Sequence, residues 1–161
     1  MTVTYKIDKE KAIAQLNRIL ESELAGVVRY THYSLMVFGY NRIPIVSWFR
    51  AQADETLLHA QQAGEMVTHL GGHPSLAIGP LLETHKHDIG EILRETIEAE
   101  YETLQLYYGL LELVEGKSIP LEEYAREMIK QEELHIDEID KMLRRPGQIE
   151  ISKEADAIAS S

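Results

Sequence analysis

The chain has no cysteine among its 161 residues. That excludes disulfides, thiolate metal sites and cysteine nucleophiles. Any metal must therefore be held by carboxylate oxygen and imidazole nitrogen. Proline is scarce, at five residues, so long helices can run unbroken. Long hydrophobic runs are missing as well. No stretch approaches the roughly 18 apolar residues of a membrane span, and the N-terminal MTVTYKIDKEKAI lacks the apolar core of a signal peptide. A cytoplasmic protein with no membrane partner is expected. Positive charge is in short supply: 16 Lys and Arg stand against 27 Asp and Glu, a formal net charge of −11. Such a field repels phosphate backbones and draws cations, so metal ions are expected partners and nucleic acid is not.

What is present reads as one all-α domain. Apolar residues recur with a period of 3.6 over four segments. The spacing predicts helices over Asp8–Phe38, Pro44–Leu70, His87–Val114 and Pro120–Arg145. Asp8 suits the first N-cap, Pro44 the first turn of the second helix, and Gly71-Gly72 its C-terminal cap. Short links join helices one and two, and three and four, which makes each pair an antiparallel hairpin. The link GGHPSLAIGPLLETHKH is long enough to cross a bundle. One long crossover between two hairpins is ferritin-like four-helix-bundle connectivity. Residues 1–145 form this bundle, and residues 146–161 read as a polar tail.

Ionisable residues interrupt the apolar stripes. Glu23 falls at the centre of the first stripe, and His59 lies among Trp48, Gln52, Ala63 and Met66 on the second. Glu100 sits between Ile97 and Leu104. In QEELHIDEI, Glu132 and His135 point the same way as Leu121, Tyr124, Met128, Ile136, Ile139 and Met142. A lone buried carboxylate is expensive to ionise. Taken singly, each is a tolerated core polar group. As a set they repeat: Glu23 precedes His59 by 36 residues and Glu100 precedes His135 by 35. Two hairpins so matched bring acids and imidazoles to one level, the geometry for two bridged metal ions. Oxygen and imidazole ligands without sulfur suit iron or manganese, and zinc less decisively.

The chain resembles bacterioferritin from about Ile13 to Leu143. The resemblance is carried by LNRILESELAGVVRY, HAQQAGEMVTHLGGHPSL, ILRETIEAEY and KQEELHIDEI. It implies a ferritin-like bundle with an intrasubunit di-iron centre, two iron ions per subunit, that oxidises ferrous iron with dioxygen or peroxide, as a ferroxidase-type oxidoreductase. Carried over, the ligands are Glu23, His59, Glu100, Glu132 and His135, with Tyr30 as the aromatic neighbour of the metals. The family places a glutamate three residues before the second-helix histidine; here that position is Thr56. Glu55 lies about 40° from His59 around the helix and Thr56 about 60° on the other side, so Glu55 is expected to supply the missing carboxylate. Where the family's haem-binding methionine would stand the chain has Leu57, and no haem is expected.

The family's shell is helped by a short fifth helix. The tail PGQIEISKEADAIASS has few apolar positions, so a homo-oligomeric dimer stands beside a larger, iron-storing shell. A small di-iron or dimanganese oxidoreductase without storage, or a non-catalytic helical interaction module, are the alternatives. His85 and His87, flanking Lys86 at the end of the crossover, read as a solvated loop end.

Overall fold

Four helices account for nearly all regular structure in the computed structural model, which describes residues 6–152 and Ser160. In chain order they are α1 (Lys9–Met36), α2 (Arg42–His69), α3 (Ile89–Val114) and α4 (Ile119–Leu143). No strand occurs among the described residues. The expected ferritin-like bundle is present, with helix ends within a few residues of those read from the periodicity.

Local chemistry sets those ends. The Asp8 carboxylate accepts from Lys11 N at 3.2 Å and caps α1. Asp88 accepts from Gly90 N at 3.0 Å and does the same for α3. At the end of α2, Gly71 takes φ +78°, and Gly72 N reaches back to Val67 O at 2.9 Å, a reversal that favours glycine. Gly116, at φ +70°, turns α3 towards α4, and its N–H donates to Glu122 Oε2 at 2.9 Å.

α1 packs along α2 and α3, and α3 along α4. The long link between α2 and α3 is strapped to the outside of α1. Asn17 donates to His73 O at 3.1 Å and accepts from Ser75 N at 2.7 Å, while Gly79 N donates to Glu21 O at 2.9 Å. Residues 146–152 turn back on α4: Arg144 donates to Ile149 O, and Ser152 N donates to the buried Asp140 carboxylate at 3.0 Å. Most of the remaining tail lies outside the described residues.

The core comes in two apolar clusters. One is built on Leu16, Ile19, Val67, Leu104, Leu110, Leu121 and Met128. The other is built on Tyr30, Phe49, Ile92, Ile97 and Ile139. Every helix passes from one cluster to the other, and in the gap each presents an ionisable side chain. No helix among the described residues is long and apolar enough to cross a membrane.

Candidate metal centre

Glu23 of α1, His59 of α2, Glu100 of α3 and Glu132 of α4 fill that gap. Glu132 is 2% exposed and Glu23 3%; His59 and Glu100 are buried too. His135, one turn beyond Glu132, is half-buried. Nδ1 of His59 lies 3.4 Å from Glu132 Oε1 and 3.7 Å from Glu23 Oε1. One ligand atom from each of Glu23, His59 and Glu132 lies within 4.8 Å of the other two. Nδ1 of His59 and Oε2 of Glu132 are buried with no hydrogen-bond partner in the protein. Buried polar atoms are rarely left so. A cation held between the two residues would satisfy both.

A second layer aims these groups. Gln131 Oε1 stands 3.1 Å from His59 Nε2, and the Gln131 amide N–H in turn donates to Glu127 at 3.1 Å. A carbonyl oxygen only accepts, so Nε2 carries the ring proton and Nδ1 offers a bare lone pair to the acids. That is how a ligating histidine is oriented. The Tyr107 hydroxyl donates to Glu23 Oε1 at 2.8 Å. The Tyr30 hydroxyl donates to Glu100 Oε1 at 2.7 Å and lies 2.8 Å from His135 Nε2. With its one proton given to the carboxylate, Tyr30 accepts from His135 Nε2–H. Trp48 stacks on the His135 ring, with 5.9 Å between centroids and 14° between planes.

The sequence model of the ferritin-like domain matches residues 13–148. The chain belongs to the ferritin-like domain family. Among solved structures it is similar to a ferritin-like diiron-carboxylate protein from Bacillus anthracis, with 26% identity and a TM-score of 0.80 over 85% of this chain and 98% of that one. It is also similar to the dodecameric thioferritin of Bacteroides fragilis, at 24% identity and TM-score 0.79 over 86% and 87% of the two chains. Bacterioferritin from Rhodobacter capsulatus aligns at 22% identity and TM-score 0.71, over 83% of this chain and 84% of that one. No curated protein sequence matches significantly. The ferritin-like diiron-carboxylate fold, with buried acids and an imidazole at mid-bundle, supports iron binding.

Electrostatics in the ferritin-like centre agree with a cationic guest. Burial, then the charge of Glu100, pushes Glu23 well above the usual carboxylate range. Burial, then Glu100 and Glu23, does the same to Glu132. Burial pushes Glu100 upward too, but its neighbour Glu132, His135 and the Tyr30 hydroxyl more than offset this, and Glu100 is held low. Burial lowers His59 and keeps its imidazole neutral, the form that binds metal. Burial also raises the phenols of Tyr30 and Tyr107, which stay protonated as donors.

The structure brings Glu23, His59, Glu100, Glu132, His135 and Tyr30 to one level. Glu55 stands apart. Its side chain is 53% exposed, and its carboxylate lies 3.9 Å from Nε2 of His59, the ring nitrogen that faces away from the lone pair offered to Glu23 and Glu132. Thr56 is the residue turned inward. The reason is the approach of α1: Thr56 Cγ2 lies 2.9 Å from where a Cβ on Gly26 would stand, so the small glycine lets residue 56 wedge between the helices. Leu57, at the family's haem-ligand position, is on the outer surface.

Gln131 and Tyr107 did not emerge from the sequence reading beyond core or surface. The available signals were slight: Gln131 immediately precedes Glu132, and Tyr107 lies two turns beyond Glu100 on the same stripe. Elsewhere, His32 Nε2 lies 2.9 Å from Glu83, and the His85 and His87 rings are 6.3 Å apart. Among the described residues these make no further three-ligand group.

Proposed function

We propose that this ferritin-like chain binds ferrous iron at the mid-bundle centre and oxidises it with dioxygen or peroxide, in a homo-oligomer able to hold the ferric product. The observation that carries this is the buried trio of Glu23, His59 and Glu132, in which one imidazole nitrogen and one carboxylate oxygen are left without a hydrogen-bond partner. Acids so placed are stable in the charged state only beside a cation. Iron held there would supply the one-electron redox chemistry. Manganese and zinc satisfy the same donor set.

The residues divide the work by position. Glu23, His59 and Glu132 would hold one cation, with Glu100 and His135 alongside it. Tyr107 fixes the Glu23 carboxylate, and Gln131 holds the His59 proton on Nε2. Tyr30 steadies Glu100 and His135 and keeps its own proton at the hydroxyl oxygen. Trp48 and Phe49 pack around Tyr30 and limit water on that side. The dodecameric assembly of the Bacteroides fragilis relative supports a homo-oligomer here.

Anaerobic addition of ferrous iron, then oxygen, tests the reading. The expected result is rapid appearance of ferric absorbance with the native chain and only the buffer rate with Glu132→Ala. Size-exclusion chromatography with iron analysis then separates storage from bare oxidation. A large particle carrying many irons per chain supports storage. A dimer holding two or fewer identifies a non-storing oxidoreductase. Negligible metal in both native protein and Glu132→Ala refutes the metal-centre reading and leaves a helical interaction module.

A further inference from the structure

The two halves of the centre are unequal. On one side, Glu23, His59 and Glu132 converge, with His59 Nδ1 and Glu132 Oε2 bare and Glu23 Oε1 steadied by Tyr107. On the other, Glu100 Oε1 and His135 Nε2 are both engaged by the Tyr30 hydroxyl. On α2, one turn before His59, the inward residue is Thr56, not a carboxylate. Its methyl fills the space against Gly26, and threonine carries no charge. Glu55 does not replace it. It reaches only the Nε2 edge of His59, at 3.9 Å, where Gln131 already sits at 3.1 Å. The first half therefore gathers Glu23, His59 and Glu132 within 4.8 Å of one another. The second has one acid and one imidazole, and must share Glu132.

We propose that the centre is an unequal pair: a strong cation position at Glu23, His59 and Glu132, and a weak, exchanging one at Glu100 and His135, where Tyr30 already holds both donors and Thr56 supplies no further carboxylate. This rests on reading the centre as a metal site. The strong position retains its ion, while the weak one admits and releases a second. A loss of one first-layer carboxylate weakens binding at least as much as the loss of an outer support, about tenfold or more.

Cobalt(II) is a suitable probe, since it binds such donor sets more tightly than ferrous ion. Equilibrium dialysis of the full chain against graded cobalt, with metal analysis, reads both positions without any turnover. The native protein is expected to take up one cobalt per chain, and a second only at free cobalt at least about tenfold higher. Glu23→Gln loses the first ion, whereas Glu100→Gln keeps it and loses the second. Thr56→Glu brings the second uptake close to the first. If Thr56→Glu does not fold by circular dichroism, the comparison of Glu23→Gln with Glu100→Gln decides alone. Two equally tight ions on the native chain, or equal loss of the first ion in both variants, overturns the inequality and leaves the metal centre standing. No cobalt on the native chain overturns both.

Discussion

Replacing Glu132 by glutamine should stabilise the protein without metal and destabilise it with metal. In the folded, metal-free chain, burial and the neighbouring acids hold Glu132 above the usual carboxylate range. In the unfolded chain it ionises near the ordinary value of about 4.3. Above that pH the unfolded state has released a proton that the folded state still holds, so stability falls as pH rises until the folded-state value is passed. Each unit between the two values costs about 1.4 kcal/mol.

Glutamine keeps the shape and removes the penalty. A gain of at least about 1 kcal/mol at pH 7 is expected, a rise in Tm of about 2–4 °C for a chain of this size. With a divalent ion at a hundred times its Kd, the native protein gains about 2.7 kcal/mol, or about 5–11 °C, and the variant gains little. Thermal melts followed by circular dichroism, at fixed protein concentration, with chelator or with excess manganese, give all four values. The order of the two proteins should reverse between the conditions, and their metal-free difference should close near pH 4.5. A variant less stable than the native chain in chelator at pH 7 would refute the argument that this acid is an uncompensated buried charge.

Gln131→Leu should lower metal affinity about 10- to 100-fold, because the His59 ring loses the acceptor that keeps its proton on Nε2; cobalt titration checks this. Tyr107→Phe removes the hydroxyl that steadies ionised Glu23. A hydrogen bond to a charged group contributes about 1.5–3 kcal/mol, so metal affinity should fall, and fall further as the pH is lowered. Gly26→Ala places a methyl against Thr56 Cγ2 and should cost about 1–3 kcal/mol by overpacking. In a Thr56→Ser background, which lacks that methyl, most of the loss in urea melts should disappear.

The bundle was legible because the apolar period runs almost unbroken through four long segments, with glycine, proline and capping aspartates at their ends. The level of the centre was legible too, since Glu23, His59, Glu100 and Glu132 each break a stripe that is otherwise oily. The choice between Glu55 and Thr56 was not. The two lie about 40° and 60° to either side of His59, and what decides between them is the close approach of α1 at Gly26, a contact between helices that periodicity along one helix does not contain. Tyr107 and Gln131 escaped for a related reason. Their roles depend on which hydroxyl or amide reaches across to another helix, and an inward tyrosine reads equally well as packing. The return of residues 146–152 onto α4 depends on Asp140, a buried acid satisfied by Arg144 and Ser152 rather than by apolar surface.

Of the ligating candidates, Glu23 and His59 come from the α1–α2 hairpin, and Glu100, Glu132 and His135 from the α3–α4 hairpin. Along the chain the hairpins are connected through residues 70–88. An ion seated among Glu23, His59 and Glu132 would thus be a cross-link between halves of the polypeptide far apart in sequence. It would do for this chain what a disulfide does for others, with the added property that a chelator undoes it.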